Sequence, residues 1–223
     1  METVVSNAIK KIIEHILTMA TLSTEAVQNS ILALMNHDKD LAQKIIDKDE
    51  EINQLEVLVE TESLRVMALY QPEAVDLRFI VGIMRMVTDI ERIGDLAVNI
   101  AQAFCGMDFK LDLSMQVDLP YLAKLSIDML NDSINALITR NSSLAESVIE
   151  KDDQVDALYN QIFRELLVSM MENPHSISHC VQYLLMSRHL ERVGDHATNI
   201  AESIIFMLQG VNRKHYHLEQ GIP

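Results

Sequence analysis

An eleven-residue string occurs twice in this chain, at an offset of 100 residues, and few folds can accommodate it. Residues 91–101 read Glu91-Arg92-Ile93-Gly94-Asp95-Leu96-Ala97-Val98-Asn99-Ile100-Ala101. Residues 191–201 read Glu191-Arg192-Val193-Gly194-Asp195-His196-Ala197-Thr198-Asn199-Ile200-Ala201, identical at eight of the eleven positions. Unrelated helices share apolar spacing. They do not share Glu, Arg, Gly, Asp and Asn in one register. The string marks an internal duplication, so the chain is read as two copies of one unit.

On a helix, Glu91, Asp95 and Asn99 fall at i, i+4 and i+8, along one stripe. Ile93, Ala97 and Ile100 point elsewhere, toward a core. Two carboxylates one turn apart suit a hard or borderline cation. A glycine inside a helix costs about 1 kcal/mol relative to alanine, so Gly94 and Gly194 imply close approach of a neighbouring helix. Arg92 and Arg192 lie about 100° off the stripe, positioned to pair with a carboxylate on that neighbour. The bland alternative is a solvated acidic face that repeats only because the gene duplicated.

A second element repeats as well. Residues 46–53, Ile46-Asp47-Lys48-Asp49-Glu50-Glu51-Ile52-Asn53, match residues 149–156, Ile149-Glu150-Lys151-Asp152-Asp153-Gln154-Val155-Asp156. Here the offset is 103, so the second copy has lost three residues, most simply at its proline-containing turn. Asp49 and Asn53 are one helical turn apart, as are Asp152 and Asp156. Each half therefore offers two oxygen-bearing stripes on consecutive helices, which antiparallel packing would bring together around a bridging cation.

Apolar spacing of three and four residues predicts helices over about 4–36, 39–70 and 73–105, a fourth capped by Asp118 with its stripe running from Leu122 to Leu137, a fifth from Asn141-Ser142 to about Met171, and a sixth over about 176–208. His37-Asp38, Gln71-Pro72 and Asn173-Pro174 are breaks, because capping residues and prolines end helices. Gly106 follows the third helix as a C-cap, and residues 106–118 read as a connector. No strand pattern appears. The expected fold is all-α: two tandem three-helix bundles over 1–110 and 111–210, with a loosely ordered tail at 211–223.

The net charge of −15 argues against nucleic acid as a partner and favours cations or basic protein surfaces. Residues 47–62 alone carry seven acids and one lysine. No apolar run reaches the roughly 18 residues of a membrane span, so no direct membrane insertion is expected. The N-terminus lacks a signal-peptide pattern, and Cys105 and Cys180 are too few for a disulfide framework; a cytoplasmic location follows as the default. No Walker-type glycine loop, GxSxG or paired ExxH spacing on facing helices is present, so no enzyme is expected.

The paired ERxGDxAxNIA motif, with its three-helix repeat covering nearly the whole chain, resembles the PhoU family of regulators of bacterial phosphate uptake. The resemblance implies metal binding through the carboxylate repeats, with iron or zinc as the divalent transition metal. It places Glu91, Asp95 and Asp49 in one site and Glu191, Asp195, Asp152 and Asp156 in the other. His196, in the position after the motif Asp where the family usually has His, is a possible further ligand. Leu96 replaces that His in the first half, and Asn53 stands where the second half has Asp156, so a weaker first site is expected. The resemblance further implies a cytoplasmic, often homodimeric adaptor. Such an adaptor restrains the phosphate-starvation response by contacting a sensor histidine kinase and the ATP-binding subunit of the phosphate ABC importer. A helical bundle that merely buffers metal, without a signalling partner, is the alternative.

Overall fold

The computed structural model describes residues 2–107 and 117–211, with side chains from Val4 onward. Six helices account for nearly all of them: α1 (Glu2–Asn36), α2 (Lys39–Tyr70), α3 (Ala74–Cys105), α4 (Leu119–Thr139), α5 (Ser142–Glu172) and α6 (Ile177–Gln209). A short 3-10 turn, Pro174–Ser176, leads into α6. The sequence periodicity does not anticipate that turn. Among the described residues there is no strand. The expected boundary at 110/111 lies outside the described residues, as does the tail beyond Val211.

The duplication is visible in the turns. His37 takes a left-handed conformation (φ 54°) and Asp38 caps α2, its carboxylate accepting from the Leu41 amide at 2.8 Å. Arg140 (φ 50°) and Asn141 repeat this at the start of α5, with Asn141 accepting from the Leu144 amide at 3.1 Å. A non-glycine residue there costs about 1–2 kcal/mol, and each cap returns about 1 kcal/mol. The two other turns differ. Gln71, Pro72 and Glu73 join α2 to α3, whereas Asn173 alone separates α5 from the 3-10 turn. The three residues missing from the second copy are lost here, at the end of α5 and in the turn that follows it.

The motif helices α3 and α6 form the middle of the molecule. Helix α3 packs on α1, α2 and α6, and α6 packs on α3, α4 and α5. Along α3, Ile80, Ile83, Val87, Ile90 and Ala97 are fully buried, the face expected from their spacing. Two buried serines repeat one job: Ser23 donates to the Ile90 carbonyl at 3.1 Å and Ser126 to the Leu190 carbonyl at 2.8 Å. They pin α1 to α3 and α4 to α6 at equivalent heights, just before each motif.

The two bundles are joined by a continuous seam. Arg78 at the start of α3 donates from Nε to the Met207 carbonyl near the end of α6 at 3.0 Å. Further along α3, the Arg85 guanidinium lies 4.7 Å from the Phe206 ring centroid, and Asp89 meets His196. Helices α3 and α6 therefore run antiparallel, which relates the halves by an approximate two-fold axis. Among the described residues no helix is long and apolar enough to cross a membrane.

Candidate metal centre

Glycine sets how closely the acidic helices approach. A Cβ on Gly94 would sit 2.9 Å from Ile52 Cδ1 and 3.5 Å from Asp49 Oδ1. At Gly194 the corresponding neighbours are Val155 Cγ1 at 3.3 Å and Asp152 Oδ1 at 3.5 Å. In both halves the bare helix backbone thus admits an aliphatic side chain and an aspartate from the preceding helix. The close approach expected from the sequence is present, and it brings Asp49 beside Asp95 and Asp152 beside Asp195.

The carboxylates in each half share one electrostatic neighbourhood. In the first, burial and then the Asp95 charge push Asp49 above the usual carboxylate range. Burial, Asp95 and Glu56 do the same to Glu91. Glu56 is itself raised, mainly by burial and then by Glu60. In the second half, burial followed by the charges of Asp195 and Asp156 pushes Asp152 up to about 6, with only the nearby Thr198 hydroxyl acting the other way. Glu191 is raised by burial, Asp195 and Asp156. Asp195 is raised by burial and Asp156 and lowered by His196 and Arg192. Each carboxylate is short of positive charge, the condition a bound cation relieves.

The two halves differ in what opposes this repulsion. Arg92 bends back along its own helix: Nη1 donates to Asp95 Oδ2 at 2.9 Å and Nε lies 3.6 Å from Glu91 Oε2. The sequence expectation of a partner on the neighbouring helix is corrected here, because the i+3 carboxylate is nearer and the chain need not cross a helix gap. Asn53 donates to Asp49 at 3.3 Å. In the second half Arg192 makes no ion pair with the described residues, and the Asp152 Oδ1 atom is buried with no donor in hydrogen-bonding geometry.

His196 turns away from the acids of its own half. Its Nδ1 lies 2.9 Å from Asp89 Oδ1 across the seam, and the Asn199 amide donates to the same oxygen at 3.2 Å. The position after Asp195 places the ring toward α3, where Asp89 holds it; as a metal ligand it would have to leave this pair. By the repeat, Asp89 corresponds to His189 and His196 to Leu96, so the polar triad exists on one side of the two-fold axis only. His189 on the other side has a buried Nδ1 without a partner, and burial with Arg192 and Arg188 lowers its pKa.

The donor set suits a divalent cation: oxygen ligands, crowded and short of counter-charge. The side chains as placed do not converge, however. Among the described residues no three His, Cys, Asp or Glu side chains meet closely enough to hold a metal ion. A cation would draw the carboxylates inward by side-chain rotation, for which the partly exposed Glu91, Asp95 and Glu191 have room. Sequence reasoning overlooked Glu56 as part of the first cluster. Its signal was available, since Asp49, Asn53 and Glu56 continue one stripe at i, i+4 and i+7.

The duplication is also what comparison with known proteins recovers. The PhoU domain model matches residues 16–104 and again 119–204. The chain belongs to the PhoU family. It is 40% identical over 207 residues to the phosphate-specific transport system accessory protein PhoU homolog of Aquifex aeolicus, covering 93% of this chain and 94% of that protein. The corresponding homolog of Rhizobium meliloti is 38% identical, over 91% of this chain and 86% of its own. Among solved structures, PhoU from Pseudomonas aeruginosa superposes with a TM-score of 0.88 at 34% identity, covering 92% of this chain and 99% of that one. The phosphate transport system regulatory protein PhoU from Streptococcus pneumoniae gives 0.87 at 33% identity, covering 93% and 98%. The PhoU family consists of accessory regulatory proteins and not of enzymes, in keeping with the lack of a catalytic constellation in the motifs.

Proposed function

We propose that this chain is an accessory regulator of phosphate transport that restrains phosphate uptake and the phosphate-starvation response. It works on the cytoplasmic side as an adaptor between a sensor histidine kinase and the ATP-binding subunit of the phosphate ABC importer. The observation that supports this reading most is the paired acidic clusters, held in equivalent places by a duplicated helix–glycine contact in a member of a family of phosphate-transport accessory proteins. Clusters of this kind give a rigid, strongly negative surface that docks on basic patches, where complementary charge speeds encounter and fixes register.

A divalent transition metal, iron or zinc, belongs to the same proposal. Asp49, Glu91 and Asp95 would hold it in the first half, and Asp152, Asp156, Glu191 and Asp195 in the second. The ion supplies positive charge that cancels repulsion among these carboxylates. The second site is the stronger, because four acids there face no arginine tie. A homodimer would double the docking faces.

The reading is tested in a deletion strain. Starvation genes should stay switched on in phosphate-rich medium, and the wild-type gene should restore repression. A variant with Asp152, Asp156 and Asp195 changed to Asn should restore it poorly while remaining fully helical. Normal repression in the deletion strain would favour the metal-buffering alternative.

A further inference from the structure

The duplication leaves a larger cavity in one half than in its copy. In the first half, α1, α2 and α3 line a partly open cavity of about 130 Å³. Its apolar wall includes Leu22, Ala26, Leu41, Ile45, Ile52 and Val98. At an offset of 103 the same place in the second half is a smaller hollow of about 90 Å³, lined by Leu125, Asp128, Met129, Lys151, Gln154 and Val155. Two exchanges explain the difference. Met129 stands where the first half has Ala26, and its sulfur reaches to 3.7 Å from where a Cβ on Gly194 would lie. Asp132 stands where the first half has Asn29, and it is ion-paired with Lys151. In the first half the equivalent Lys48 has lost that carboxylate and makes no hydrogen bond or ion pair with the described residues. Lys44, in place of Ser147, adds a second ammonium at the cavity.

The second half thus shows what the first half lacks: an unbranched apolar side chain in the cavity and a carboxylate on the lysine. We propose that the first-half cavity is a binding site for a small amphipathic monoanion, an unbranched aliphatic carboxylate of about four to six carbons. A cavity of about 150 Å³ holds a benzene-sized ligand, and the space here is similar. The chain takes the place of the Met129 side chain and the carboxylate takes the place of Asp132 on Lys48, with the Asn29 amide beside it. Glu25, Asp49 and Glu51 also line the cavity beside Lys44 and Lys48, so the anion is confined to the Lys48–Asn29 side. The cavity shares Asp49 with the proposed first metal site, so binding is measured on chelator-treated protein, without any partner.

The test is methyl-resolved NMR on the full chain, titrated with hexanoate, hexanol and acetate. Hexanoate should move the methyl signals of Leu22, Ile45, Ile52 and Val98 and leave those of Leu125 and Val148 in place. Ala26→Met should abolish the response while raising the melting temperature, because it installs the second half's own filling. Lys48→Gln should weaken hexanoate about tenfold, the loss expected for one charge-assisted contact, and leave hexanol unchanged. The reverse change, Met129→Ala with Asp132→Asn, should create a second responsive site around Val148. If hexanol or acetate binds the wild-type chain as well as hexanoate, or if Ala26→Met leaves binding intact, the proposal is overturned.

Discussion

The substitution Asp152→Asn should stabilise the metal-free protein, and the gain should depend on pH in one direction only. Burial and the charges of Asp195 and Asp156 raise this carboxyl from 3.8 to about 6. The folded chain therefore holds the proton more tightly than the unfolded chain. The stability this contributes is fully present below about pH 4 and is lost as pH rises through 6. Taken whole, a rise of that size is worth about 3 kcal/mol. Asp152 is only half-buried, so water screens part of it, leaving about 1–2 kcal/mol. The amide of the variant carries no charge at any pH and escapes the penalty. In chelator-treated buffer at pH 7.5 the variant should melt about 2–6 °C higher than wild type. The gain should fall to about half at pH 5, where the wild-type group is largely protonated in the folded chain but not in the unfolded one. Thermal unfolding followed by circular dichroism at several pH values reads this directly. Adding zinc or iron(II) should reverse the ranking, since wild type gains a metal-bound state that loss of the carboxylate weakens. A gain independent of pH, or a loss at pH 7.5, would refute the crowding argument.

Three further outcomes follow from the geometry. A Cβ on Gly82 would collide with Met207 Cγ, so Gly82→Ala should cost about 1–3 kcal/mol in urea unfolding by forcing the buried Met207 aside; adding Met207→Ala should recover part of the loss, and an unperturbed single variant would contradict the seam. His196→Ala leaves Asp89 without its imidazole and should cost about 1–3 kcal/mol, yet calorimetric titration should show nearly unchanged cation affinity, unlike Asp195→Asn. Arg92→Gln frees Glu91 and Asp95 and should raise first-site cation affinity by about three- to tenfold; an unchanged value would mean the arginine tie does not compete.

The fold was legible because its signals are local. Periodicity, Asp38, Asn141 and the two prolines act within one or two helical turns, and the observed helices begin and end within a few residues of the predicted ones. The carboxylate clusters were legible for a related reason: a repeated glycine beside a repeated aspartate implies that two stripes meet. What escaped depends on contacts distant in sequence or on side-chain torsions. His196 shares a helix with Asp195, but its partner Asp89 lies 107 residues away on the other half. Arg92 had two carboxylates in reach, and spacing alone could not choose between its own helix and the next. The open cavity required seeing that Ala26 and Met129 occupy one place.

The approximate two-fold axis along the α3–α6 seam has an evolutionary consequence. In a symmetric dimer of separate chains every substitution appears twice, so both faces change together. Here the two subunits of such an arrangement are fused into one polypeptide, and each position can drift alone. Asp89 facing His196 and Asn199 is already such a divergence, because His189 and Leu96 stand at the equivalent places across the axis. A fused pair can keep the shared framework that positions both acidic faces while tuning one face to one partner and the other to a second, a division of labour closed to a strictly symmetric assembly.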